Sequence, residues 1–213
     1  MKHYIGYLFS KPNKRYNISK FMVESNILFI TGLSGSGKTT LSLDLSKKYN
    51  AIVLNLDCLC NYYNEKFNNT LIKCLTGNFL KNNAKLDEIL KNEEFMDLKL
   101  NRTSEYIFYI KSYFEYVYKF CLDYKNINFI IEGTQLFMTL NPLFFKDKPL
   151  IVIRESSLKC LFRRLKRELK EEEKRHPIKM GKKHIKKLLN DSKRLHFKDL
   201  KKLNNFIYAI SNR

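Results

Sequence analysis

The most specific chemistry in this sequence lies in nine consecutive residues. Gly32-Leu33-Ser34-Gly35-Ser36-Gly37-Lys38-Thr39-Thr40 has the spacing G-x-x-x-x-G-K-[ST]. It follows the apolar run 26–31 (NILFIT) and opens a segment with leucines at 41, 43 and 45. Each part answers a need of phosphate binding. Glycines let the backbone curl so that its N–H groups face an anion, and a helix N-terminus adds the positive end of a dipole. The Lys38 amine has the reach for β- and γ-phosphates, and the Thr39 hydroxyl suits Mg²⁺. The chain has only 7 glycines, and three of them sit in this loop. Residues 32–40 are therefore expected to hold a nucleotide, with ATP and Mg²⁺ as cofactors.

Further candidates stand where apolar runs end. In an alternating α/β chain, ligands gather beyond the carboxyl ends of the strands. Asp57 closes the run 51–56 (AIVLNL) and suits a group that takes a proton from an acceptor hydroxyl or orients it. Glu132 ends the run 127–132 (INFIIE), where a carboxylate can hold Mg²⁺ or the acceptor. Thr134 and Gln135 follow, though both also suit an ordinary helix start. Beyond the run 149–153, Arg163 and Arg167 are four residues apart, on one face of a helix. Two guanidiniums so placed can clamp phosphates and neutralise charge that develops during transfer. Arg164 is a third phosphate contact in this reading. Leu158, Leu161, Phe162 and Leu165 share helical spacing and are expected to form a buried stripe. The run Glu171-Glu172-Glu173-Lys174-Arg175-His176-Pro177 reads as an exposed hinge or lid tip. The expected catalytic set is Lys38, Asp57, Glu132, Arg163 and Arg167.

These groups need a scaffold, and the hydrophobic pattern supplies one. Runs 26–31, 51–56, 127–132, 149–153 and 206–210 (FIYAI) read as buried strands. Helices are expected over 38–49, 157–173 and 182–203. Another is expected over 103–123, where Ile107, Ile110, Phe114, Val117, Tyr118 and Cys121 share helical spacing. Strands alternating with helices imply an α/β fold with a parallel sheet and helices on both faces. No internal repeat, low-complexity block or Pro/Ser-rich linker divides the chain. The expectation is one domain over 1–213, with a basic arm at 1–25 and a basic helical lid and C-terminal region at 155–203.

Composition sets the outer bounds. Forty Lys and Arg stand against 21 Asp and Glu in 213 residues, a formal net charge of +19. Hydrophobic residues at 44% and aromatics at 14% exclude a disordered chain. No apolar stretch approaches the ~20 residues of a membrane-spanning helix. The first ten residues lack the apolar block of a secretory leader, so none is expected. Five cysteines (58, 60, 74, 121 and 160), without metal-site spacing, fit a reducing cytoplasm rather than a disulfide framework. No histidine has an acid or nucleophile at motif spacing. The charge is unevenly placed. Residues 1–22 carry +5, residues 23–153 only +1, and residues 154–203 carry +12. The basic quarter suits polyanions in general: nucleotide phosphates, nucleic acid or an acidic membrane surface. A merely solvated face explains it equally well. The aromatic-rich start (Tyr4, Tyr7, Phe9, Tyr16, Phe21) is a candidate for an extra element packed on the body.

Taken together, these residues resemble the P-loop small-molecule kinases, most closely the uridine kinases and the zeta-toxin kinases. The loop 32–40 is similar to that of uridine kinases. Asp57 stands where these families keep an acceptor-activating Asp. Glu132-Gly133-Thr134 looks like their Glu-Gly and Glu-Gly-Thr signatures. Phe162-Arg163-Arg164-Leu165-Lys166-Arg167-Glu168 looks like the lid helix of uridine kinases. Cys60 departs from the pattern, because uridine kinases carry a Tyr there. Residues 64–124 show no nucleoside-recognition motif of the family. The resemblance implies a P-loop NTPase three-layer sandwich with a mostly parallel five-stranded sheet and a helical lid. It implies transfer of the γ-phosphoryl of ATP to a small-molecule acceptor such as a nucleoside, nucleotide or sugar hydroxyl. The alternative is a polynucleotide kinase or a nucleic-acid-associated ATPase, motivated by the lysines of the basic quarter with Phe197 and Tyr208. A membrane partner is not expected.

Overall fold

The computed structural model describes residues 5–9, 25–56, 114, 115, 117–175 and 181–211. In chain order the elements are β1 (Ile5–Phe9), β2 (Ile27–Gly32), α1 (Lys38–Tyr49), β3 (Ala51–Asn55) and β4 (Asn128–Glu132). Then follow the short α2 (Gln135–Thr139), a 3-10 turn (Pro142–Phe145), β5 (Leu150–Arg154), α3 (Ser157–Arg175) and α4 (Lys182–Ser211). Residues 117–123, ahead of β4, are also helical. Residues 114 and 115 are helical too, while 103–113 and 116 of the helix expected over 103–123 lie outside the described residues, and so do Asp57, Cys58, Cys60 and the lid tip at 176 and 177.

Four of the apolar runs become adjacent strands, as expected. The sheet order is β1-β5-β2-β4-β3, and every pairing is parallel. Strands buried on both faces read as continuous apolar runs, which is why they were legible. Their alternate residues serve two cores. Phe29, Ile52, Leu54, Phe129, Ile131, Leu150 and Val152 face a layer containing Val117, Phe120, Leu136, Phe145, Leu203 and Phe206. Leu28, Ile30, Val53, Ile130, Ile151 and Ile153 face the other way, against Leu41, Leu45 and Tyr49 of α1. The first core is aromatic. The Phe29 ring lies edge-on to Phe145 at 5.3 Å between centroids and to Phe144 at 5.9 Å. Such tilted pairs add to the stabilisation from area burial alone.

Two expectations are overturned. Residues 206–210 are not a strand but the end of α4. The buried residues of α4 are Ser192, His196, Asp199, Leu203, Phe206 and Ile207, spaced by three or four. The helical period therefore continues through Phe206, and it outweighs the local β preference of an aromatic and β-branched run. The sheet's remaining edge is instead β1, from the basic arm, paired with β5 from Ile5↔Leu150 to Phe9↔Arg154. The second correction concerns α3. Leu158 is 74% exposed and Phe162 71%, while Cys160 and Leu161 are buried. The expected leucine stripe is split because α3 turns polar residues, not Leu158 and Phe162, toward α4. Among the described residues, no helix is long and apolar enough to cross a membrane.

Candidate functional site

Strand register brings the polar groups to one end of the sheet. Asn55 of β3 and Ile30 of β2 both align with Glu132 of β4, and Gly32 aligns with Ile153 of β5. The loop 33–37 leaves this edge and turns into α1. Gly37 caps α1 with φ +93°, and a Cβ there would meet nothing within 4 Å. Glycine is needed at Gly37 for backbone conformation alone. Gly35 has φ +84°, and a Cβ there would lie 2.8 Å from the Cys160 carbonyl oxygen and 3.2 Å from the Arg163 Cβ. The loop is thus packed against the first turns of α3. The first turn of α1 carries no acid, so nothing there opposes an anion.

Lys38 is buried and folded back over the loop. Its Nζ donates to the carbonyls of Gly32 at 3.2 Å and Leu33 at 3.1 Å. Ser36 Oγ is buried, and no hydrogen-bond partner for it exists among the described residues. A hydroxyl in that state inside a glycine-rich loop fits contact with a ligand oxygen. Thr40 is exposed on the first turn of α1.

Glu132 ends β4 and is 1% exposed. Its Oε1 accepts from Thr39 Oγ1 at 2.9 Å and from Asn55 Nδ2 at 2.8 Å. Burying a carboxylate is costly unless polar groups hold it, and these donors do so. The strand ends around it are also tied. Leu56 N donates to Glu132 O at 2.8 Å, and Thr31 Oγ1 to Gly133 O at 2.8 Å. A hydroxyl and a carboxylate side by side are hard oxygen donors of the kind Mg²⁺ takes. Among the described residues no cluster of three or more His, Cys, Asp or Glu exists. Asn55 was missed by sequence reasoning, although it was visible as a polar residue within the run AIVLNL.

The three candidate arginines of α3, Arg163, Arg164 and Arg167, separate. Arg163 Nη1 donates to Gly35 O at 3.0 Å, and Arg167 Nη2 donates to Ser34 Oγ. Both guanidiniums therefore reach the loop. Arg163 also lies 3.7 Å from Glu155 Oε2. Arg164 is a correction. Its guanidinium bonds Glu168 Oε1 at 2.8 Å and Asp199 Oδ2 at 2.9 Å, on the α4 side of the helix and away from the loop. Burial works against its charge, but the hydrogen bonds it donates to Glu168 and Asp199, with their negative charge, outweigh burial and raise its pKa. Glu168 also accepts from Ser192 of α4, and Ser157 Oγ pairs with His196 Nε2 at 2.9 Å. Burial, then the nearby Arg164 charge, lowers the His196 pKa. Sequence reasoning missed this network, because its partners lie 24 to 39 residues apart. Cys160 sits beneath the loop, and burial, reinforced by Glu155, raises its pKa despite Arg163 and Lys38. It stays a thiol and offers no nucleophile.

Thr134 and Gln135 stand at the start of α2. Asp57, the expected acceptor base, lies outside the described residues. No protein-family model matches the chain, and no match is found among curated proteins.

Proposed function

We propose that this chain is an ATP- and Mg²⁺-dependent phosphotransferase of P-loop NTPase architecture, with α3 as its lid. It moves the γ-phosphoryl of ATP to a small hydroxyl-bearing acceptor such as a nucleoside, nucleotide or sugar. One observation carries this reading. The buried Lys38, the Thr39–Glu132 pair, and Arg163 and Arg167 from a separate helix all converge on one glycine-rich loop. A bound ATP·Mg²⁺ would supply the transferable group and a divalent charge, with Thr39 and Glu132 holding the metal. Lys38 would exchange two neutral carbonyl partners for charged oxygens, which make stronger hydrogen bonds. Arg163 and Arg167 set positive charge beside Gly35 and Ser34, where a transferred phosphoryl would develop charge. Asp57 keeps the role its place after β3 implies, receiving or orienting the acceptor's proton.

Thermal melting with and without ATP·Mg²⁺, followed by a label-transfer screen over nucleosides, nucleotides and sugars, tests the reading. The expected result is a Mg²⁺-dependent rise in Tm and transfer to one acceptor class. Asp57→Asn should keep the Tm rise and lose transfer. No Tm rise at millimolar ATP·Mg²⁺ overturns nucleotide binding, and full transfer by Asp57→Asn overturns the role of Asp57.

A further inference from the structure

The phosphate-loop site uses none of the lysines of α4. All nine Lys and Arg residues of this helix are exposed. Of its two acids, Asp199 is engaged by Arg164, and Asp191 lies 3.6 Å from Arg194. Cationic charge therefore dominates the outer face.

The helix also orders what looks scattered along the sequence. At about 100° per residue, Lys186, Lys193, Phe197, Lys201 and Tyr208 fall within a strip about 80° wide. Phe197 stands one turn from Lys193 on one side and one turn from Lys201 on the other. Phe197 is 50% exposed and Tyr208 69%. The buried residues of α4, from Ser192 to Ile207, lie on the opposite side. The strip thus contributes little to the core, and its two aromatic rings stand in line with the lysines. Single exposed aromatics are ordinary on protein surfaces. Aligned aromatics flanked by cations on a helix about 45 Å long combine the two elements that bind unpaired strands: phosphate charge and ring faces.

We infer that the outer face of α4 is a binding track for single-stranded nucleic acid. Lys186, Lys193 and Lys201 take backbone phosphates, and Phe197 and Tyr208 stack on bases. Duplex nucleic acid fits less well, because its bases are already stacked and give the rings nothing to cover. An anionic membrane fits less well too, because the apolar side of α4 is already buried against the core and cannot insert. This inference stands apart from the phosphotransferase reading and survives its failure.

Fluorescence anisotropy of the 213-residue chain with a labelled 15-nucleotide oligo-dT tests it, without ATP and over a salt series. A duplex of equal length and vesicles containing phosphatidylserine serve as competitors. Binding should weaken with salt at a log–log slope of about −2, for the three phosphates neutralised by Lys186, Lys193 and Lys201. Phe197→Ala with Tyr208→Ala should weaken binding by about tenfold or more at an unchanged slope. Lys193→Ala with Lys201→Ala should reduce the steepness of that slope by about 1. Melting curves verify that each variant is folded, which is expected for exposed positions. Absence of oligonucleotide binding at low salt overturns the proposal. So does equal affinity for duplex without dependence on the two aromatics, which marks general polyanion attraction. Stronger competition by vesicles than by single strands overturns it in favour of a membrane surface.

Discussion

Arg163 and Arg164 are neighbours on one helix, yet they live in different physical regimes. The Arg163 side chain is 53% exposed and touches a loop carbonyl and, more distantly, Glu155. The Arg164 side chain is 13% exposed and is held by two carboxylates. The loop-facing side of α3 is therefore a set of charges free to change partners. The α4-facing side is a closed polar network in which every charge depends on another. Charge at an exposed site is cheap to alter and available for a ligand. Charge at a buried site is expensive to uncover and serves to fix the helix. The Ser157–His196, Arg164–Asp199 and Glu168–Ser192 contacts lock the rotation of α3 that keeps Arg163 and Arg167 over the loop.

Four changes test that contrast, and the largest expected effect comes first. Arg164→Ala leaves Asp199 and Glu168 without their counter-ion and should cost about 3 kcal/mol in urea unfolding. Arg163→Ala should move the same midpoint by less than about 1 kcal/mol. Equal losses would erase the distinction. A triple replacement, Arg164→Met with Glu168→Leu and Asp199→Leu, should recover much of the stability, because no unpaired charge remains. Next, Lys38→Ala should abolish the gain from ATP·Mg²⁺, which the proposed nucleotide binding sets at about 2.7 kcal/mol for a hundredfold excess over Kd. A titration of Tm against nucleotide reads this directly.

The loop glycines sharpen the comparison from the other side. Gly35→Ala combines a positive φ with a close approach to the Cys160 carbonyl and should cost about 2 kcal/mol. Gly37→Ala carries only the conformational penalty, about 1 kcal/mol, since a Cβ there meets nothing. Chemical denaturation of the two variants tests whether α3 really bears on the loop. The smallest effect concerns His196. Its folded pKa lies below the ordinary imidazole value near 6.5, so the unfolded chain binds that proton more readily. Stability should therefore rise with pH through the interval just below about 6.5 and level off above it. The slope is at most about 1.4 kcal/mol per pH unit. His196→Gln should flatten this step relative to the native protein, and an unchanged pH profile would remove His196 from the account.

The strands, the loop and Glu132 were legible because their signals are local. A strand buried on both faces is a short apolar run, and a phosphate loop is a fixed spacing of Gly, Lys and Thr. The run at 206–210 misled because short apolar runs do not distinguish strand from helix. Only its continuity with His196, Asp199 and Leu203 decides the matter. Leu158 and Phe162 misled for a related reason. Spacing reveals that residues share a face but not which face meets a neighbour. The network around Arg164 outweighs the leucines in setting how α3 sits on α4.

By itself, then, the sequence determined the glycine-rich loop and the strand ends, and with them the residues we propose for phosphate and metal, because these signals are written in consecutive positions. Tertiary structure alone decided which arginine serves the loop and which serves the fold. It also decided that Asn55 joins Thr39 at Glu132, and that Phe197 and Tyr208 align with lysines on an outer face. Those outcomes depend on strand register, helix rotation and burial. These arise from contacts between residues far apart in the chain, so no local pattern carries them.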